Sequence, residues 1–246
     1  MGALPGGRVL TDAWFDVDAY RSSAHRRAVV WRPDTTVLVL GSTQAAPAGE
    51  PPDGETGAGE TGAGETGAGE TGAVPVLRRR SGGGAVLVVP GDTVWVDLWL
   101  PRGDPLWEDD VVGAAGWAGC WWAAGLGAVL GVALGVHHGP SESRPWAAAV
   151  CFAGVGPGEV LVGGRKVVGL AQWRSREGAL FQGCCYRRWD PAALTRLLGI
   201  DDARGEVRRA AVGLDELAGG TAPGEEAIVA ALVGALPPGL SWEVTS

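Results

Sequence analysis

Of the 20 basic residues in this 246-residue chain, only Lys166 is a lysine; the rest are arginines. An ammonium is a compact point charge that a planar guanidinium does not imitate. A lone Lys in a chain that otherwise uses Arg is therefore a candidate for chemistry, although the codon habit of a GC-rich genome gives the same bias. Lys166 lies in the stretch GGRKVVGLAQWR (163–174), with Gly on both sides. There it could hold a developing oxyanion or an acyl carbonyl, or be an ordinary turn residue. A second stretch, RRRSGGGAV (78–86), sets three glycines between apolar runs. Such a loop lets backbone approach a ligand closely with N–H groups free to donate. The adjacent Arg78, Arg79 and Arg80 offer forked donors for phosphate or carboxylate. It is neither a P-loop nor a GxGxxG turn, and a bulged hairpin with surface arginines is the plain alternative.

The four cysteines, Cys120, Cys151, Cys184 and Cys185, match no zinc spacing and no disulfide framework. Cys151, in the apolar run 147–152, has a plain reading as a small buried strand residue. Cys120 reads as core, and Cys184-Cys185 as strand packing. His137-His138 precede Gly-Pro without accompanying acidic or thiol ligands, so they read as a loop pair and no metal site is expected. Trp173, close in sequence to Lys166, could touch a bound acyl chain.

Arg-Arg-x-Ser-Gly-Gly-Gly-Ala-Val followed by Gly-Arg-Lys-Val-x-Gly-x-Ala-Gln resembles the lipoate–protein ligase and octanoyltransferase family, and LGSTQ (40–44) is similar to that family's Leu-Gly-x-x-Gln. The resemblance covers roughly residues 28–44 and 74–200. It implies the biotin/lipoate protein ligase catalytic fold, a pocket in which Arg78, Arg79, Ser81, Gly82, Gly83, Gly84 and Gly169 meet the acyl group, and Lys166 on the acyl carbonyl. The implied product is an amide between an octanoyl or lipoyl group and a lysine of a lipoyl-carrier protein. Within the family, AVCFAGVGPGEVLVGGRK (149–166) resembles the cysteine-dependent octanoyltransferases: Cys-Phe, then Glu159 eight residues after Cys151, then Gly-Arg-Lys. That branch would take octanoate from acyl carrier protein as a thioester on Cys151 and need no cofactor. The ligase branch, which would use ATP and Mg2+, carries an Arg-Asn-Asp segment that does not occur upstream of Lys166. A catalytically silent acyl-binding homologue is a third reading.

The elements that must position these residues are legible in part. The run Thr35–Leu40 reads as a buried strand. From Val74 to Pro101 the pattern is strand, Gly-rich turn, strand, turn, strand; Val94, Val96, Leu98 and Leu100 alternate there with Trp95, Asp97 and Trp99. Asp109 or Asp110 could cap a buried helix in the uncharged run 111–136, which also has the length of a membrane span but is rich in Gly and flanked by acids. Residues 147–152 read as a short strand, and 159–172 as a hairpin pairing Leu161-Val162 with Val167-Val168 across Gly163-Gly164. A strand over 179–186, a helix from Pro191 capped by Asp190, and a last helix over 224–236 complete the reading. Without regular βαβ alternation this is α+β, with a mixed and largely antiparallel sheet flanked by helices.

Residues 1–246 are expected to form a single domain, interrupted at 45–73 by an acidic insert with four copies of GETGA. Its lack of large apolar groups predicts disorder. The net charge of −8 and pI near 4.9 argue against tracking a phosphate backbone, so no nucleic acid partner is expected. No secretory signal or membrane partner is expected, and free thiols fit a cytoplasmic location.

Overall fold

The computed structural model describes residues 20–45 and 74–245; the GETGA repeats lie outside the described residues. The architecture is α+β. A seven-stranded sheet runs in the order β10-β1-β5-β9-β8-β7-β6, formed by β1 (Arg27–Trp31), β5 (Thr93–Pro101), β6 (Gly135–Val136), β7 (Val160–Val162), β8 (Arg165–Arg174), β9 (Gly178–Tyr186) and β10 (Glu243–Thr245). All its pairs are antiparallel except β1 with β10. A second sheet, β3-β2-β4, holds β2 (Val37–Leu40) between β3 (Val76–Arg78), parallel to it, and β4 (Val86–Val88), antiparallel.

The alternation in β5 is a partition between two cores. Val94, Val96, Leu98 and Leu100 face Trp122 and Leu126 of helix α1 (Val111–Leu130) and Ile228 and Leu232 of a C-terminal helix. Trp95 faces the small sheet through Val37, Val39, Val86 and Val88, and Trp99 packs with Tyr20 and Leu180. Both faces of the strand are covered, so its polar-looking positions are as buried as its apolar ones.

Helix α1 begins at Asp110, whose carboxylate accepts from the Val112 and Gly113 amides, and ends at Gly131 in the left-handed region. The chain then enters β6, so the uncharged run is helix followed by strand; among the described residues no helix is long and apolar enough to cross a membrane. Four shorter helices follow β9: α2 (Ala192–Leu197), α3 (Glu206–Ala210), α4 (Leu214–Leu217) and α5 (Glu225–Gly234). Asp190 accepts from the Ala192 amide at the start of α2.

Three sequence expectations are corrected. Residues 147–152 do not form a strand: 146–149 make a turn, Val150 forms a single bridge to Ala85, and Cys151–Ala153 is a 3-10 turn. Trp146 sits at φ 66° and its carbonyl accepts from Ala149 and Val150, which curls the run before it can extend. The β7–β8 hairpin turns at Gly163-Gly164, both at positive φ as a two-residue turn requires. Its register, however, sets Val162 opposite Arg165, Leu161 opposite Lys166 and, past an irregularity, Val160 opposite Val168. Cys120 is exposed rather than core, because it falls on the side of α1 that neither the sheet nor α5 covers.

Candidate active site

A cavity of about 390 Å³ opens between the glycine loop, the N-terminus of α1, the 154–157 loop and β8. One wall is Gly82, Gly83 and Gly84; another is Val111, Val112 and Ala115; Cys151, Glu159, Lys166, Leu170, Ala171 and Gln172 form a third, and Ser141, Glu142, Ala147 and residues 154–157 complete the lining. The two motifs, some eighty residues apart in sequence, thus share one cavity.

Lys166 is 1% exposed. Its Nζ donates to Glu159 Oε1 at 2.6 Å and to the Cys151 carbonyl at 2.6 Å, which occupies two of its three hydrogens. Its backbone is tied down as well: Leu161 lies opposite in the hairpin and the Val212 amide donates to its carbonyl. Glu159, 4% exposed, accepts from the Gly156 amide through its other oxygen and from the Leu170 amide. Ammonium and carboxylate thus form a buried pair, each anchored to backbone. The sequence offered one signal for Glu159, its place between Cys151 and the Gly-Arg-Lys triplet, but nothing marked it as the partner of Lys166.

Cys151 is half-buried; it lines the cavity and packs against the buried cluster of Trp95, Phe152, Cys184 and Tyr186. Two glycines shape its surroundings. A Cβ on Gly84 would lie 2.6 Å from the Val150 carbonyl carbon and 2.7 Å from the Cys151 amide nitrogen; on Gly169 it would lie 3.4 Å from Cys151 Sγ and 3.1 Å from the Phe152 ring. Gly84 therefore lets the loop touch the backbone that carries the thiol, and Gly169 leaves the thiol room. Gly169 itself is outside the cavity lining. Cys184 and Cys185 are buried, and burial pushes both thiols well above their ordinary range.

Arg78, Arg79, Arg80 and Ser81 do not line the cavity; Arg80 is exposed, and the side chains of the other three are engaged behind the cavity. Arg78 donates to the Gly41 and Gln44 carbonyls. Arg79, 2% exposed, donates through Nη2 to the Gly82 and Gly84 carbonyls, while its Nε and Nη1 are buried without a partner among the described residues. Ser81 donates to Gln182 Oε1 at 2.8 Å. These side chains brace a loop whose Gly82, Gly83 and Gly84 amides donate to no acceptor among the described residues. Trp173 packs against the Tyr20, Trp99 and Leu180 cluster instead of the cavity. His137 holds its ring nitrogen 2.9 Å from the Pro140 carbonyl, and among the described residues no three His, Cys, Asp or Glu side chains gather as a metal site.

No family model and no curated protein sequence matches the chain significantly. Solved structures of similar fold do exist. A lipoate protein ligase from T. acidophilum with bound lipoic acid superposes with a TM-score of 0.65 at 14% identity, over 98% of this chain and 85% of that one. Lipoate-protein ligase A bound with ATP gives 0.63 at 15% identity, over 94% and 81%. A bipartite lipoate protein ligase from Thermoplasma acidophilum, from a study of that enzyme and its E2 lipoyl domain, gives 0.58 at 15%, over 94% and 80%. The mixed, largely antiparallel sheet and its flanking helices are thus those of a known architecture, and the chain has the fold of the lipoate–protein ligases.

Proposed function

We propose that the protein transfers an octanoyl or lipoyl group to a lysine of a lipoyl-carrier domain, through a thioester on Cys151 and with octanoyl-acyl carrier protein as donor. The observation that carries this reading is that Cys151 lines the same cavity as Lys166 and the glycine loop. In the first step the Cys151 sulfur attacks the donor's thioester carbonyl. A carbon–sulfur bond to Cys151 forms, the bond to the donor sulfur breaks, and the proton leaves with the donor thiol. In the second step the carrier amine attacks the new thioester, a carbon–nitrogen bond forms, and the amine proton returns to Cys151 as the sulfur departs. Both steps place negative charge on the carbonyl oxygen. The third hydrogen of Lys166 and the free amides of Gly82, Gly83 and Gly84 are fixed donors suited to such an oxygen.

The superposition with an ATP-bound ligase favours a second reading, activation of free lipoate by ATP. The loop amides would then hold the phosphates, and Cys151 would be dispensable. The test mixes the protein with octanoyl-acyl carrier protein and no acceptor. One hydroxylamine-labile octanoyl mass on wild type, absent from Cys151→Ala, is the expected result. ATP- and Mg2+-dependent modification of a lipoyl domain that survives Cys151→Ala would overturn it in favour of the ligase; carrier modification under neither condition leaves an acyl-binding homologue.

A further inference from the structure

Asp97 is a fully buried acid in the middle of β5, at 0% exposure. Among the described residues no basic side chain pairs with it; it is held by neutral donors. Trp95 Nε1 donates to Oδ1 at 2.8 Å, while Trp31 Nε1 at 2.9 Å, Tyr20 Oη at 3.0 Å and Gln182 Nε2 at 3.4 Å donate to Oδ2. A buried carboxylate is costly unless every lone pair is used, so its presence in a strand of Val, Leu and Trp calls for a reason. Asp97, Gln182 and Ala171 are direct cross-strand partners in β5, β9 and β8, so they stand in one row on one face of the sheet, and Ala171 lines the cavity. The Gln182 amide has its NH2 turned to Asp97 and its oxygen accepting from Ser81, and the Ser81 carbonyl accepts from the Ser42 amide.

We infer that Asp97 is a positioning residue: through Gln182 it sets the Ser81 hydroxyl, and with it the placement of the Gly82–Gly84 wall of the cavity. An amide alone could present either end to Ser81; a carboxylate, which can only accept, forces the amide oxygen outward. The importance of the loop rests on the acyl-transfer reading, but the chain of contacts does not. Burial raises the Asp97 carboxyl to about 6; below that value one oxygen carries a proton and becomes a donor, so the four donors around it compete for the remaining lone pairs. Among the described residues the other titratable or charged groups on this face are Tyr20, with Arg27 over its ring at 5.7 Å, Cys184 and Tyr186 further along β9, Cys151 and Lys166 beside Phe152, and Arg79 behind the loop; burial drives the Tyr20 and Tyr186 phenols and the Cys184 thiol upward, so these three stay neutral across this range.

The test reads hydrogen exchange at the Ser42 and Ala85 amides, which donate to the Ser81 and Ala149 carbonyls at either end of the loop, corrected for intrinsic pH dependence, with α5 as internal reference. In wild type, loop exchange should rise about tenfold as pH falls from about 7.5 to about 5. In Asp97→Asn it should be fast and flat across that range. Gln182→Met, which leaves Asp97 its other three donors, should match it. A pH-independent wild-type loop, a Gln182→Met loop as protected as wild type, or equal loosening of α5 would overturn the inference. In parallel, acylation from octanoyl-acyl carrier protein at neutral pH should be about tenfold slower in Gln182→Met. No acylation by wild type would refute the function alone; equal acylation by both proteins would refute the positioning.

Discussion

Glu159→Gln is the most informative single change, because the structure makes its cost calculable. Both side chains of the Lys166–Glu159 pair are almost fully buried, at 2% and 5% exposure, and the contact is 2.6 Å. Removing the carboxylate leaves an ammonium out of water with two neutral oxygens for company. Stripping one partner from a buried pair costs about 3–5 kcal/mol. For a domain of this size, each kcal/mol moves the melting temperature by about 2–4 °C, so Glu159→Gln should melt about 6–20 °C below wild type. Lys166→Met should fall by a similar amount, since it orphans the carboxylate. Combining the two removes both charges, and the double variant should melt above either single variant, by differential scanning calorimetry, while acyl transfer stays absent in all three. Lys166→Arg keeps the charge and should keep more stability than Lys166→Met. Its planar fork cannot meet both Glu159 and the Cys151 carbonyl from the same point, so transfer should be lost as well. Single variants within about 2 °C of wild type, or a double variant at the sum of the two losses, would refute the reasoning.

Two further outcomes follow from the geometry. Gly84→Ala drives its methyl into the Val150–Cys151 backbone and should cost about 1–3 kcal/mol by chemical denaturation, whereas Gly82→Ala, whose Cβ meets nothing within 4 Å, should cost almost nothing; equal effects would contradict the close approach. A thiol-labelling time course on the native protein should modify Cys120 and Cys151 first and Cys184 and Cys185 only on unfolding, in line with their exposure.

The sequence made both motifs legible because each depends on local rules: glycines between apolar runs, and a lysine after a two-glycine turn. The capped helix from Val111 and the alternation in β5 were legible for the same reason. What it hid were facts of register and of layers. Trp146 at positive φ curled a run whose composition reads as strand. Asp97 looked like the solvent side of an alternating strand, because nothing local says that a second sheet will cover that face. Arg79 and Ser81 were legible as members of the loop motif, but their side chains reach back rather than forward to a ligand: Arg79 bonds the Gly82 and Gly84 carbonyls of its own loop, and Ser81 bonds Gln182, about a hundred residues away. Helices α3 and α4 are too short for periodicity to show them.

The pairing of β2 with β3 also bears on how this gene can change. Leu40 lies in register with Arg78, Arg79 donates its amide to Leu40, and the Arg78 side chain reaches the Gly41 and Gln44 carbonyls. The chain on either side of the four-copy GETGA tract is therefore clamped together at its roots. When the ends of a connecting segment are held side by side, doubling its length costs only about 0.6 kcal/mol. Short tandem repeats are prone to gain and lose copies during replication, and here each unit adds five residues without moving Ser81 or the glycines beyond it. Natural variants are free to differ widely in repeat number while keeping the same folding core, and the tract is a ready place to insert a tag or reporter.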